Sequence, residues 1–161
     1  MTVHAGLAVF DLDGTLADVR HRLPHLRRRP RDWDAFFAAA VDDPPLAGGV
    51  ALASEAAGHH RLAYVTGRPE RCRADTVAWL DAQPLPPGPL LMRGAADRRP
   101  ARVTKVELLR RLAREHTVAF VVDDDAQVCA AYERAGFAVL RADWMPGEDV
   151  LDNAQEREGR T

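Results

Sequence analysis

Two carboxylates, Asp11 and Asp13, stand two residues apart in "VFDLDGTLAD", directly after an apolar run. Asp123 and Asp124 close a second apolar run, "TVAFVVDDD", and Thr66 closes a third, "HRLAYVTG". Of 22 basic residues 21 are arginine, and the one lysine is Lys105. Carboxylates that converge raise one another's pKa strongly unless a cation offsets them. A hard divalent ion held by oxygen ligands does so, and Mg²⁺ suits two or three carboxylates with waters and a phosphate oxygen. The two cysteines, Cys72 and Cys129, have no CxxC spacing and no ligand-like histidine beside them, so they read as reduced thiols, not zinc ligands. Carboxylate, Mg²⁺, lysine and hydroxyl together point to phosphoryl transfer. One carboxylate attacks phosphorus to give an aspartyl-phosphate, and a second, two residues on, moves protons. Lysine and metal neutralise the transferring group. A lone lysine in so arginine-rich a chain fits a tight site where a planar guanidinium cannot replace a compact ammonium.

These residues act together only if the fold brings them to one place. Short apolar runs over 6–10, 60–67, 89–92, 117–125 and 137–142 read as buried strands. Helical patterns lie between them, over 31–41, 48–58, 69–82, 103–116 and 126–136. Strands alternating with helices predict an α/β fold: a three-layer, Rossmann-like, five-stranded and mainly parallel sheet. Ligands of such sheets bind beyond the carboxyl ends of the strands. Asp11, Asp13, Thr66, Asp123 and Asp124 therefore share one edge. The segment "RHRLPHLRRRPR", 20–31, with six arginines and two prolines, reads as an exposed loop that holds His21 and His25. Residues 1–145 read as one domain, and 146–161, with turn residues and mixed charge, as a C-terminal tail with a mobile end or weak helix.

The chain of 161 residues is long enough to bury a core, and its hydrophobic share of 47% is ordinary for a globular protein. No apolar stretch approaches the roughly 20 residues that span a bilayer. The N-terminus has no basic region before its apolar run, so a cytoplasmic location and no membrane partner are expected. A net charge of −2 excludes a uniformly basic nucleic-acid binder, though not a local basic patch.

The motif "DLDGT" resembles the first motif of haloacid dehalogenase (HAD) superfamily phosphatases. "YVTG", Lys105 near a helix start, and "VVDDD" resemble the second, third and fourth motifs, in the same order. A narrower resemblance covers most of 6–142. "FDLDGTLAD…HRL…DWDAFF…DDPP", "VTGRPE", "LLMRGAADRRPARVTKVELL" and "VVDDDAQVCAAYERAGF" are similar to the 3'-phosphatase domain of polynucleotide kinase-phosphatases. The resemblance implies Asp11 as nucleophile, Asp13 as general acid/base, and Thr66 and Lys105 as further catalytic residues. Gly67 and Arg68, with Arg93 and Arg99, would bind the substrate phosphate. Asp11, Asp13, Asp123 and Asp124 would hold Mg²⁺. The chain departs from the pattern at Asp125, where relatives often carry arginine. It also does so at "PAR", 100–102, which lacks the acids often found before the lysine.

The spans 16–61 and 67–105 have no room for a large cap domain, and an open site suits a bulky phosphorylated substrate such as a nucleic-acid 3' end. The kinase half of such enzymes is missing, since there is no GxxxxGK[ST] loop, and a separate kinase or ligase chain is a candidate partner, with the sequence leaving open whether one supplies that activity. The expected function is a Mg²⁺-dependent phosphomonoesterase acting on DNA or RNA 3' ends. The alternatives are a HAD phosphatase for a nucleotide or other small metabolite, and, ranked lower, a non-enzymatic binding domain on the same fold.

Overall fold

In the computed structural model, residues 5–145 and 149–161 are described, so the first three residues of the expected tail lie outside them. Five parallel strands form one sheet in the order β3-β2-β1-β4-β5: β1 (Leu7–Phe10), β2 (Arg61–Pro69), β3 (Leu90–Arg93), β4 (Val118–Asp123) and β5 (Val139–Arg141). Helices α1 (Pro24–Arg27), α2 (Trp33–Ala38) and α3 (Ala47–Ala56) lie between β1 and β2, and α4 (Arg73–Ala82) follows β2. Then come α5 (Ala101–Ala113), α6 (Ala126–Arg134) and α7 (Asp149–Glu158). The expected α/β architecture is present, with every strand pair parallel and no large cap.

The alternation of β1 shows why the sheet is covered on both faces. Ala8 and Phe10 pack with Leu62, Tyr64, Ala53, Ala56 and Trp79, on the side of α3 and α4. Leu7 and Val9 pack with Ala63, Val65, Leu108, Leu109, Leu112 and Val128, on the side of α5 and α6. A strand with apolar residues on both faces must be sandwiched, which is the condition for a parallel sheet. Phe10 is level with Tyr64 and with Val122. Asp11, Thr66 and Asp123 therefore leave the sheet at the same edge.

One segment differs from the sequence reading, and the tail takes the helical one of its two expected forms. The stretch 20–31 is not a solvated loop throughout. It contains a 3₁₀ turn (Arg20–Arg22) and α1, and Leu23 and Leu26 join Trp33, Phe36 and Phe37 in a third apolar cluster. Periodicity could not reveal this, because each helical piece is only three or four residues long. Much of the expected tail forms α7, whose Leu151 and Ala154 are buried in that same cluster. Past α7, Thr161 is buried as well.

Candidate active site

The turn that follows β1 sets the geometry. Gly14 has φ +84, a conformation that glycine adopts at little cost. A Cβ there would come within 2.2 Å of Asp124 Oδ2, so this backbone closes directly on a carboxylate of β4's end. The carbonyl of Leu12 accepts hydrogen bonds from the N–H groups of Thr15, Leu16 and Ala17, which locks the turn.

Two buried ion networks flank it. In the first, Lys105 Nζ donates to Asp11 Oδ1 at 2.9 Å and to Asp123 Oδ2 at 2.7 Å. The Thr15 hydroxyl donates to Asp11 Oδ2 at 3.1 Å. Asp11, Asp123 and Asp124 each bring a carboxylate oxygen within 4.8 Å of the others. Burial would depress the Lys105 ammonium, but Asp11 and Asp123 more than reverse this and hold it well above its ordinary range. Burial, then Asp11, pushes Asp123 up to about 6 despite the lysine. Burial, with Asp11 and Asp123 nearby, also lifts Asp124 well above the carboxylate range. One ammonium faces three carboxylates, and the cluster is short of positive charge.

The second network centres on Asp13. Its Oδ1 accepts from Arg68 Nε at 3.0 Å and Nη2 at 2.5 Å, and from Arg22 Nη2 at 2.9 Å. Asp43 bridges both arginines: Oδ2 lies 2.7 Å from Arg22 Nη2 and 3.2 Å from Arg68 Nη2. Arg22 is 0% exposed, with its guanidinium 4.3 Å from the centre of the Phe36 ring. Burial alone would raise the pKa of Asp13. Arg68 and Arg22 outweigh it and hold this carboxyl well below the usual range. Its second oxygen, Oδ2, is buried with no hydrogen-bond partner among the described residues. Arg22 and Asp43 were not picked out by sequence reasoning. The only hints were the "HRL" and "DDPP" stretches, which carry no spacing that marks a buried pair.

The remaining candidates divide. Thr66 is buried at the end of β2 and its hydroxyl oxygen accepts the N–H of Arg68 at 3.1 Å, leaving its own proton to give. The carboxylate of Asp13, expected among the metal ligands, turns instead to the arginines and is not one of the three clustered acids. Arg93, expected at the substrate phosphate, spends its donors on the carbonyls of Gly67, Arg99 and Thr161 and on the Thr104 hydroxyl. Arg99 reaches Asp97 and Glu107 at the surface. Gly67 is covered by Thr161, whose carbonyl carbon lies 2.3 Å from where a Cβ would stand. Gly67, Arg93 and Arg99 thus fasten the chain around the end of β3, and their side chains and backbone turn to protein groups. Asp125, the departure from the family pattern, accepts from the N–H groups of Gln127 and Val128 and caps α6.

A parallel sheet with three of these motifs at its strand ends, and Lys105 reaching them from α5, defines a phosphatase of the haloacid dehalogenase class. Within it, the chain belongs to the polynucleotide kinase PNKP phosphatase domain family, whose model matches residues 6–144. Two solved chains, from a Pnkp1/Rnl/Hen1 complex and a Pnkp1/Rnl/Hen1 RNA repair complex, share 23% and 22% identity with TM-scores of 0.72 and 0.71. Each match covers 91% of this chain but 49% and 47% of the other, so this chain spans about half their length. The haloacid dehalogenase-like hydrolase SP0104 from Streptococcus pneumoniae has 16% identity and a TM-score of 0.64, over 94% of this chain and 91% of its own. Among curated proteins, none matches in sequence. Among the described residues, no helix is long and apolar enough to cross a membrane.

Proposed function

We propose that the chain removes the terminal phosphate from 3'-phosphorylated nucleic-acid ends through an aspartyl-phosphate on Asp11. The observation that carries this reading is the setting of Asp11. One oxygen is held by Lys105 and the other by Thr15, beside two further acids. A carboxylate fixed in this way presents a defined oxygen to phosphorus, and the ammonium that fixes it also meets the incoming charge. The absence of a large cap leaves room for a polymer end.

The residues present fit a divalent cation. Three clustered carboxylates meet one ammonium; burial raises Asp123 and Asp124, and the neighbouring carboxylates push them further. Asp11, Asp123 and Asp124 would hold Mg²⁺, which would supply charge neutralisation at the phosphoryl oxygens.

The protein's own groups then divide the work. Asp11 attacks, its O–P bond forms, and the bond from phosphorus to the 3' oxygen breaks. Thr66 and Lys105 hold phosphoryl oxygens. Asp13 gives a proton to the leaving 3' oxygen and later takes one from the water that hydrolyses the aspartyl-phosphate. At rest the arginines keep Asp13 ionised, so it can act as an acid only when that hold relaxes and the carboxylate takes up a proton from solvent. Phosphate oxygens compete for Arg68, and Asp13 Oδ2, which lacks a partner, is the atom left to carry the proton.

The test is phosphate release, with and without Mg²⁺, from 3'-phosphorylated oligonucleotides, mononucleotides and sugar phosphates. Metal-dependent release fastest from the oligonucleotides supports the reading. Turnover confined to the small phosphates would overturn it.

A further inference from the structure

The arginines of this chain are mostly spoken for. In the 20–31 segment Arg20 pairs with Asp18, Arg22 with Asp13 and Asp43, Arg28 with Asp32, and Arg31 with Glu158. The arginines of the segment expected as an exposed loop are thus largely occupied by internal contacts. A different place is not. Between α5 and α6 runs an open cleft of ≈ 500 Å³ whose charged lining is Arg102, Arg110, Arg114, Arg134 and one acid, Glu107. Arg102 reaches Glu156 at 3.2 Å. The side chains of Arg110, Arg114 and Arg134 are exposed and make no ion pair or hydrogen bond among the described residues.

From this we infer that the α5–α6 cleft binds the phosphodiester backbone of a single nucleic-acid strand. The inference extends the proposed action on nucleic-acid ends and rests on that reading for its link to turnover. Like charges at i and i+4, as in Arg110 and Arg114, weaken a helix. The helix dipole rewards cations in the last turns of α5 and α6, but it gives no reason for them to share one cleft whose one acid, Glu107, is already paired with Arg99 at 2.6 Å. A polyanion supplies the acceptors. The axial reach is right as well. Arg102 lies in the first turn of α5, three residues before Lys105, and Arg114 lies twelve residues beyond Arg102, about 18 Å along a helix axis. That length accommodates on the order of four nucleotides, the low end of known single-strand footprints. The lining has no aromatic side chain on which bases could stack, and its apolar members, Val103, Val106, Ala131 and Ala135, are small. A groove so built reads charge and not sequence. It also lacks the large apolar anchors that docking proteins favour.

The test measures binding separately from catalysis. A fluorescein-labelled 3'-hydroxyl dodecamer, which is not a substrate, is titrated by anisotropy against the wild type and R110E/R114E/R134E. R110Q/R114Q/R134Q serves as the milder variant. Hydrolysis of para-nitrophenyl phosphate reports the fold and basal site of each. The expected result is binding weakened at least tenfold in the Glu variant and less in the Gln variant, with basal turnover unchanged. The salt slope for the wild type should exceed that of the Glu variant by about two, since each single-strand phosphate contact contributes about 0.7. Equal binding by all three proteins overturns the inference. So does a wild type that binds a labelled poly-glutamate peptide but no oligonucleotide. If the dodecamer binds through these arginines while only small phosphates are hydrolysed, the cleft stands and the 3'-end activity falls.

Discussion

The two buried ion networks sit side by side but differ in charge balance. Around Asp13 two carboxylates meet two guanidinium groups. Around Asp11 three carboxylates meet one ammonium. A balanced buried network can be complete in itself. In the unbalanced one burial raises Asp123 and Asp124, and the neighbouring carboxylates add to it, so a positive ion would be welcome there. The first network is built to hold a side chain still. The second carries the negative charge that the proposed cation would offset. The two clusters meet at the turn from Asp11 to Gly14, so the proposed nucleophile and the proposed proton carrier stand two residues apart in different charge settings.

The largest effect should come from Asp11→Asn. Amide for carboxylate removes the proposed nucleophile, and turnover should fall on the order of 10⁴-fold or more. It also removes one of three crowded negative charges, so metal-free stability should rise, and Mg²⁺ should no longer shift the melting temperature. Activity loss with lowered stability would mean that the cluster is not charge-strained. Lys105→Met does the reverse. Stripping the one ammonium leaves buried charge unpaired and should cost about 3–5 kcal/mol. Turnover should drop about 10³-fold, the scale for losing a donor to developing charge. Adding Asp123→Asn to that variant should recover stability but not activity.

The balanced network should break differently. Asp43→Asn leaves two guanidinium groups against one carboxylate and should cost about 3 kcal/mol by chemical denaturation. Because Asp43 touches Asp13 only through Arg22 and Arg68, kcat should fall on the order of tenfold while KM holds. A change in KM alone would place Asp43 at the substrate instead.

The pH dependence separates the networks again. Burial and Asp11 keep Asp123 protonated in the native state up to about 6, whereas the unfolded chain releases that proton near 3.8. Between those values the native state holds more protons than the unfolded one. Metal-free stability from this group therefore declines as pH rises through the window, and the cost is complete above about 6. A cation competes for the same oxygens, so Mg²⁺ should raise the melting temperature clearly at pH 7.5 and little at pH 5, with EDTA reversing the gain. Equal stabilisation at both values would detach the metal from Asp123.

The two networks were unequally legible in the sequence. Asp11, Lys105, Asp123 and Asp124 announced themselves because strand ends of a parallel sheet share an edge and the lysine stood alone among arginines. Arg22 did not, being one of six arginines in a segment with two prolines. Its burial depends on Phe36 beneath it and on Asp43, 21 residues away, contacts that no local period encodes. Asp43 is in turn fixed by the Trp79 indole, which donates to its backbone carbonyl from α4. Arg93 misled in the opposite sense. Its motif neighbourhood suggested a phosphate, while its donors go to Gly67 and Thr161, and the latter lies 68 residues on. Charge type and spacing revealed the unbalanced cluster, and only long-range packing revealed the balanced one.

The smallest effect concerns the third acid in "VVDDD", which marks the limit of the charged cluster. Asp125 follows the two clustered acids directly, yet its carboxylate turns back to the N–H groups of Gln127 and Val128. That is the geometry of a helix N-cap, and losing such a cap costs about 1 kcal/mol. Asp125→Ala should therefore lower stability by about that amount. Asp125→Asn, which keeps an oxygen acceptor, should restore nearly all of it. Neither should move kcat/KM more than twofold, because the Asp125 side chain contacts neither Asp11 nor Lys105. Equal destabilisation by Asn and Ala would show that charge, not capping, is what matters there. A tenfold loss of activity in Asp125→Asn would extend the unbalanced cluster by one carboxylate and deepen the contrast with Asp13.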